Sequence, residues 1–242
     1  MKVHPWMIVV AIAATLTLGT LYYIVGNLIL HTNTLTLLSY LEISIITSFT
    51  ARGLFDLYFY IQDLTTSTSP HPLILSSPVD DYIPFTPSAI WIYSLGFGSL
   101  CGIVPLAAVS MTSAVHLISG GILLILIQCL LFYLFPTTIP DAYRSPPPRP
   151  VYPPNSVWGK LDALSMAAIN ATYDIDGVTN AAPSGHVSIS TYAAVAVFPL
   201  LGYSSYILPL AIAASACMTK QHCFLDTVLG FALGHLVASA YI

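Results

Sequence analysis

Two short polar motifs stand in an otherwise apolar chain: Pro183-Ser184-Gly185-His186, and Lys220-Gln221-His222-Cys223-Phe224-Leu225-Asp226. Each opens a long apolar segment. Titratable groups are costly in hydrocarbon, so a cluster of them at the mouths of apolar helices points to function. Pro183 suits the first turn of a helix, where its missing N–H costs nothing. Ser184 and Gly185 then offer a hydroxyl and backbone N–H groups at a helix N-terminus, which favours anions. Gly185 lets a phosphate approach the backbone, and His186 stands beside it as a proton donor. His222 and Asp226 are four residues apart, which predicts one shared helix face. A carboxylate there accepts the proton of one ring nitrogen and leaves the other free as a nucleophile. Together these groups suit nucleophilic attack on a phosphate ester. The plainer alternatives are a capping turn at Pro183–His186, a buried His222–Asp226 tie between helices, and an interfacial, snorkelling Lys220.

The bulk of the chain must hold these groups at a membrane. Of its 242 residues, 56% are hydrophobic and 7% charged, against about 25% charged in a soluble domain. That implies an integral membrane protein, a single domain over 1–242 with room for five to seven spans at ~20 apolar residues each. The net charge of -4 and the scattered basic residues argue against nucleic acid as a partner. Cys101, Cys129, Cys217 and Cys223 lie in or beside apolar segments without a C-x-x-C pair, and read as small core residues. The first apolar run is too long for a signal-peptide core and reads as a retained anchor.

Spans are expected at 6–30, 88–110, 113–135, 187–202, 205–218 and 221–242. Segment 36–61 is apolar but carries Glu42, Arg52 and Asp56, so it reads as interfacial, with a seventh crossing as the alternative. Pro105 is expected to kink its span. Gly230-x-x-x-Gly234 lets two helix backbones approach closely. Residues 136–182 hold eight prolines and most of the polar residues outside the motifs; a stretch this long reads as a lid or headgroup-binding region. One hairpin separates the two motifs, so both belong on one face of the membrane, which residues 136–182 also enter. His116 and His235 read as packing residues. Asp174-x-Asp176 does not read as a metal site, and no cofactor is implied.

These residues resemble the type 2 phosphatidic acid phosphatase superfamily, whose motifs are K-x6-R-P, P-S-G-H and S-R-x5-H-x3-D. The second is intact at Pro183–His186. The third is present as Ser215, His222 and Asp226, with Ala216 in place of its arginine. Of the first, Arg149-Pro150 stands, with Ala142 in place of its lysine. The resemblance implies an all-α integral membrane fold, a six-helix core bundle with an extra interfacial or spanning helix. It implies His222 as nucleophile, Asp226 orienting it, and His186 as general acid and then base. It implies phosphate contacts from Arg149, Ser184 and Gly185, with Lys220 standing in for the absent arginine and Arg144 for the absent lysine. It implies no metal, and a site on the extracytoplasmic or lumenal face.

The expected function is hydrolysis of a lipid or prenyl phosphate or diphosphate through a phosphohistidine. Transfer of a phosphate-containing headgroup to an alcohol is the first competitor. A non-hydrolytic or binding protein that reuses the phosphate pocket is the second. The expected partners are that substrate and the membrane lipids, and the oligomeric state is left open.

Overall fold

The computed structural model describes residues 17, 20, 21, 23–25, 35–69, 71–144, 152–176 and 179–242, without the side chains of 97, 100–102, 144 and 174–176. The expected span at 6–30 therefore falls largely outside the described residues, as does Arg149.

The described chain is mostly helical. Helix α1 (Leu37–Thr68) begins where the Thr36 hydroxyl accepts the Ser39 N–H. Its inner face is Tyr40, Ile43, Thr47, Ala51 and Leu54, spaced three or four apart as a helix requires. Arg52 and Asp56 pair at 3.0 Å on the opposite, exposed face. Segment 36–61, expected at the interface with a seventh crossing as the alternative, forms part of one helix of 32 residues, about 48 Å long at 1.5 Å per residue. Tyr58 meets Phe132 edge to face at 5.6 Å, so α1 packs lengthwise in the helical body.

A parallel two-residue bridge joins β1 (Leu73–Ile74) to β2 (Thr137–Thr138). The short α2 (Val79–Tyr82) follows β1 and stands a few residues before a single-turn 3-10 helix at Pro87–Ala89. The expected span at 88–110 is broken into α3 (Ile90–Tyr93), α4 (Leu95–Gly102) and α5 (Val104–Ala107). The second break lies at Ile103, ahead of Pro105, whose ring and missing N–H end a regular helix there.

Helix α6 (Met111–Leu134) starts with a reciprocal capping box between Ser110 and Ser113. Its buried Leu117, Ile118, Leu124 and Ile125 join Ile43 and Leu54 of α1 in the main apolar core. Residues 136–182, expected as an irregular lid, contain α7 (Asp141–Arg144) and the 20-residue α8 (Val157–Asp176). The prolines all precede Pro154. Ser156 then accepts the Gly159 N–H and starts the helix.

Helices α9 (Gly185–Ala196), α10 (Phe198–Leu201), α11 (Ile207–Met218) and α12 (Phe224–Tyr241) complete the chain. Among the described residues, three helical stretches are long and apolar enough to cross a membrane: Met111–Leu134, Phe198–Met218 and Phe224–Tyr241. His116 stacks on Tyr241 and bonds its carbonyl at 2.7 Å. His235 meets the Tyr206 hydroxyl at 3.2 Å. Both histidines are thus used in packing. Cys129, Cys217 and Cys223 are buried and unbridged.

Helices α9 and α12 pack closely at Gly230 and Gly234. A methyl group on Gly230 would come within 2.6 Å of the Ser184 carbonyl oxygen, and one on Gly234 would strike that of Ser188. The small-residue spacing therefore sets how near the two motifs come. Overpacking of such a contact costs about 1–3 kcal/mol. Gly230→Ala should accordingly lower the thermal midpoint of the purified protein in detergent and reduce its activity. An unchanged midpoint would contradict this packing.

Candidate active site

The chain reaches His222 by a helix C-cap. The Gln221 N–H donates to the Ala216 carbonyl at 3.0 Å and the Lys220 N–H to the Cys217 carbonyl at 3.1 Å. That is the Schellman pattern, which wants a left-handed residue, usually glycine, just past the helix. Lys220 takes that place with φ 57°. The turn aims His222 back over α11 before α12 starts at Phe224.

This changes the relation of His222 to Asp226. The sequence spacing predicts one shared helix face, but His222 lies in the turn ahead of the helix. Asp226, at the third helical position, reaches back and accepts the Cys223 N–H at 2.8 Å through Oδ2, as a capping-box residue does. His222 Nδ1 is 3.8 Å from that oxygen, beyond a hydrogen bond. Both His222 Nδ1 and Asp226 Oδ1 are buried without a hydrogen-bond partner.

His186 sits in the first turn of α9. Its ring stacks on Tyr93 at 3.8 Å, and its centroid is 6.5 Å from that of His222. Gly96 makes room for it: a methyl group there would lie 2.6 Å from the His186 Cβ. The Ser184 N–H donates to the Asp226 carbonyl at 2.9 Å, so one backbone bond ties the first motif to the second. Ser184 Oγ is fully buried and has no hydrogen-bond partner.

The two helix N-termini at this site differ. That of α12 is occupied by carboxylates: Asp226 takes Cys223 N–H, and Asp80 Oδ1 takes Phe224 N–H at 2.7 Å. That of α9 has no side-chain cap. An anion is therefore favoured at Ser184-Gly185-His186, where the helix dipole is uncompensated, and not at α12. Four of the buried side-chain atoms without a hydrogen-bond partner belong to the two motifs: Ser184 Oγ, Gln221 Nε2, His222 Nδ1 and Asp226 Oδ1. Such groups are costly in a folded protein, and a polar ligand would satisfy them.

Lys220 is brought to the site but is already engaged. Its ammonium donates to the carbonyls of Asp80 and Ile83, each at 2.9 Å, and lies 4.8 Å above the Tyr143 ring. Burial, and then the Asp80 carboxylate, push the Tyr143 phenol above its ordinary range, so this ring stays neutral under the cation. Lys220 thus serves first as a tie between α2 and the His222 turn. Arg144 ends α7, next to Tyr143; its side chain is not among those described, and Arg149 lies outside the described residues. Asp174 and Asp176 lie in the last turns of α8, not in a loop as expected.

Helix α8 covers the site. Its Ile169 is buried with Ile90, Tyr93 and Ala216, and the Tyr173 hydroxyl donates to the Tyr143 carbonyl at 3.2 Å. The sequence reading missed Asp80, Tyr93, Tyr143 and Tyr173. For Asp80 a signal exists. Ser77-x-x-Asp80 matches a capping box, and both the N–H and hydroxyl of Ser77 donate to Asp80 Oδ2. Tyr93 carries none, being one aromatic residue in an apolar run. Among the described residues, no group of three or more His, Cys, Asp and Glu side chains converges as metal ligands would. Neither a family model, nor a curated protein, nor a solved structure matches this chain.

Ala216 is fully buried against Ile90, Tyr93 and Ile169, so this position has no space for an arginine. Lys220→Ala should lower the thermal midpoint in the absence of any ligand. It leaves the buried Asp80 carbonyl and the part-buried Ile83 carbonyl without this donor, at about 1–3 kcal/mol for the buried one. Adding Ala216→Arg should lower the midpoint further. Recovery of stability or activity in the double variant would show that the arginine fits after all.

Proposed function

We propose that this chain is a multi-pass membrane enzyme that hydrolyses a lipid or prenyl phosphate or diphosphate through a phosphohistidine. The observation that carries the reading is the pair of imidazoles, centroids 6.5 Å apart, beside the uncapped α9 N-terminus. A near-attack distance of ~3–3.5 Å to phosphorus and a hydrogen bond of ~2.6–3.2 Å to the leaving oxygen together exceed that spacing once the P–O bond is added, so on this reading the rings turn or part as substrate enters. The three apolar helical stretches support a membrane setting, and the apolar surroundings of Pro183 support a lipid substrate. On this reading the site faces the extracytoplasmic or lumenal side.

The steps balance as two displacements. His222 Nε2 attacks phosphorus while its Nδ1–H turns to the Asp226 carboxylate. The bond from phosphorus to the leaving oxygen breaks, and His186 gives that oxygen its proton. His186 then takes a proton from water. The water oxygen bonds to phosphorus, the P–N bond breaks, and inorganic phosphate leaves with His222 restored. Ser184 Oγ and the backbone N–H groups of Gly185 and His186 hold the phosphate oxygens as charge builds on them. Lys220 adds positive charge near them, a part that the family resemblance also assigns to Arg144 and Arg149.

The test is phosphate release by the purified protein from a panel of lipid and prenyl phosphates. His222→Ala should abolish it while the protein still accumulates. His186→Ala should cost about 10²–10⁴-fold on an alkyl phosphate and much less on a phosphate with a good leaving group such as nitrophenol. Near-normal turnover by His222→Ala would sink the mechanism. Equal losses on both leaving groups would remove the acid role of His186. Because the phosphate charge is met by N–H groups and side chains, turnover should also persist in EDTA; loss restored by one divalent ion would contradict this.

One observation favours transfer as a second reading. A recess of about 240 Å³ lies between Phe85, Tyr152, Trp158 and Asp162. Aromatic faces with a carboxylate suit an alkylammonium headgroup. The recess is anchored near His222 by the Thr86 N–H, which donates to the Met218 carbonyl at 2.8 Å. Exchange of a labelled headgroup between two lipids, without net phosphate release, would establish it over hydrolysis.

A further inference from the structure

A second cavity lies outside the histidine pair. This groove of about 420 Å³ has Leu229, Leu233 and Leu236 of α12 on one wall and Leu131 and Phe135 of α6 on the other, with Ala182 and Pro183 at its head. Its volume is that of a small-molecule site. Residues 229, 233 and 236 are spaced by four and three, so one face of α12 lines it, and Asp226 begins the same stripe one turn earlier.

The polar groups at its head are already used. Thr137 Oγ1 donates to the Ala182 carbonyl at 3.2 Å and accepts the Ala182 N–H at 2.6 Å. The Pro183 carbonyl accepts from Gln128 Nε2 at 2.7 Å. What remains to line the groove is apolar, and it selects hydrocarbon. Its head adjoins the first motif: Pro183 lines the groove, and the next residue is the buried Ser184, whose hydroxyl has no hydrogen-bond partner. From Leu229 to Leu236 the wall descends about 10 Å at 1.5 Å per residue.

We infer that this groove between α6 and α12 holds the hydrocarbon chain of the lipid phosphate whose phosphate sits at Ser184-Gly185-His186, and that it sets the preferred chain length. This rests on the lipid-phosphate reading above. A bound phosphate at the α9 N-terminus places the first carbons of its ester at Pro183, and the groove leads them down between the two helices. A long single chain gains burial along the whole wall, whereas a short one reaches only its head.

The test uses the full chain in detergent and a long-chain alkyl phosphate with a diazirine near the chain end. After irradiation, label should map to residues 229–236 and 131–135. An unlabelled alkyl phosphate of the same length should displace it, and the corresponding alcohol should not. Ala232→Trp, which fills the groove, should lower the ratio of kcat/KM for a long-chain over a four-carbon phosphate about tenfold. Displacement by the alcohol as well as by the phosphate would mean that ordinary bilayer lipid fills the groove. Absence of label would mean that another segment of this chain or a second copy covers it. Either result overturns the inference, as does an unchanged chain-length ratio. Phosphate-specific labelling without phosphate release from any substrate would leave the groove standing and the hydrolytic reading refuted.

Discussion

The 2.9 Å bond from the Ser184 N–H to the Asp226 carbonyl fixes the distance between the two motifs, and it exists only because Gly230 and Gly234 carry no side chain. With a methyl group at Gly230, the Ser184 carbonyl would be met at 2.6 Å and α12 would have to withdraw from α9. The imidazoles would then separate, since His186 rides on the first turn of α9 and His222 on the turn entering α12. Gly96 imposes the same kind of limit from the other side, where α4 approaches His186. Small residues thus set the geometry of the large ones that would do the chemistry.

Polar bonds hold the same region in register against an apolar background. Gln128 of α6 takes the Pro183 carbonyl and accepts the Ser188 hydroxyl. Gln62 and Thr65 of α1 bond to Thr179 and Asn180, just ahead of the first motif. Asn180 has φ 76° and Lys220 φ 57°, so each motif is entered through a left-handed residue. Asparagine tolerates that conformation; lysine pays for it, and the C-cap hydrogen bonds and the two carbonyls on its ammonium offset the cost. Of the eight buried side-chain atoms left without a hydrogen-bond partner among the described residues, Ser184 Oγ, Gln221 Nε2, His222 Nδ1 and Asp226 Oδ1 belong to the two motifs, while Ser44, Asn180, Thr191 and Ser205 carry the others.

The sequence made the motifs legible because titratable residues stand out in an apolar chain, and their convergence followed from counting spans between them. Helices α6 and α12 followed from uninterrupted apolar runs. Other features were hidden for definite reasons. The full length of α1 was hidden because Glu42, Arg52 and Asp56 interrupt its apolar run; the helix places them on its outer face and pairs two of them. The prolines of 136–154 masked α8, although Ser156 followed by Leu161, Ser165, Ile169 and Tyr173 carries a helical period. The expected His222–Asp226 hydrogen bond is absent because His222 lies in the turn ahead of the helix that carries Asp226, with its Nδ1 3.8 Å from Oδ2. The stand-in role of Lys220 looked natural by sequence proximity, yet backbone carbonyls from residues about 140 positions away claim its ammonium. Such contacts follow from tertiary folding and have no local signature.

The central claim is that His222 becomes covalently phosphorylated. The direct measurement is rapid acid-free quench of the protein with a phosphate-labelled lipid substrate, followed by peptide mass spectrometry. The account predicts an acid-labile, alkali-stable phosphate on His222 that forms within one turnover and decays as inorganic phosphate appears. Turnover with no phosphate on His222, or with phosphate on another residue, would contradict it.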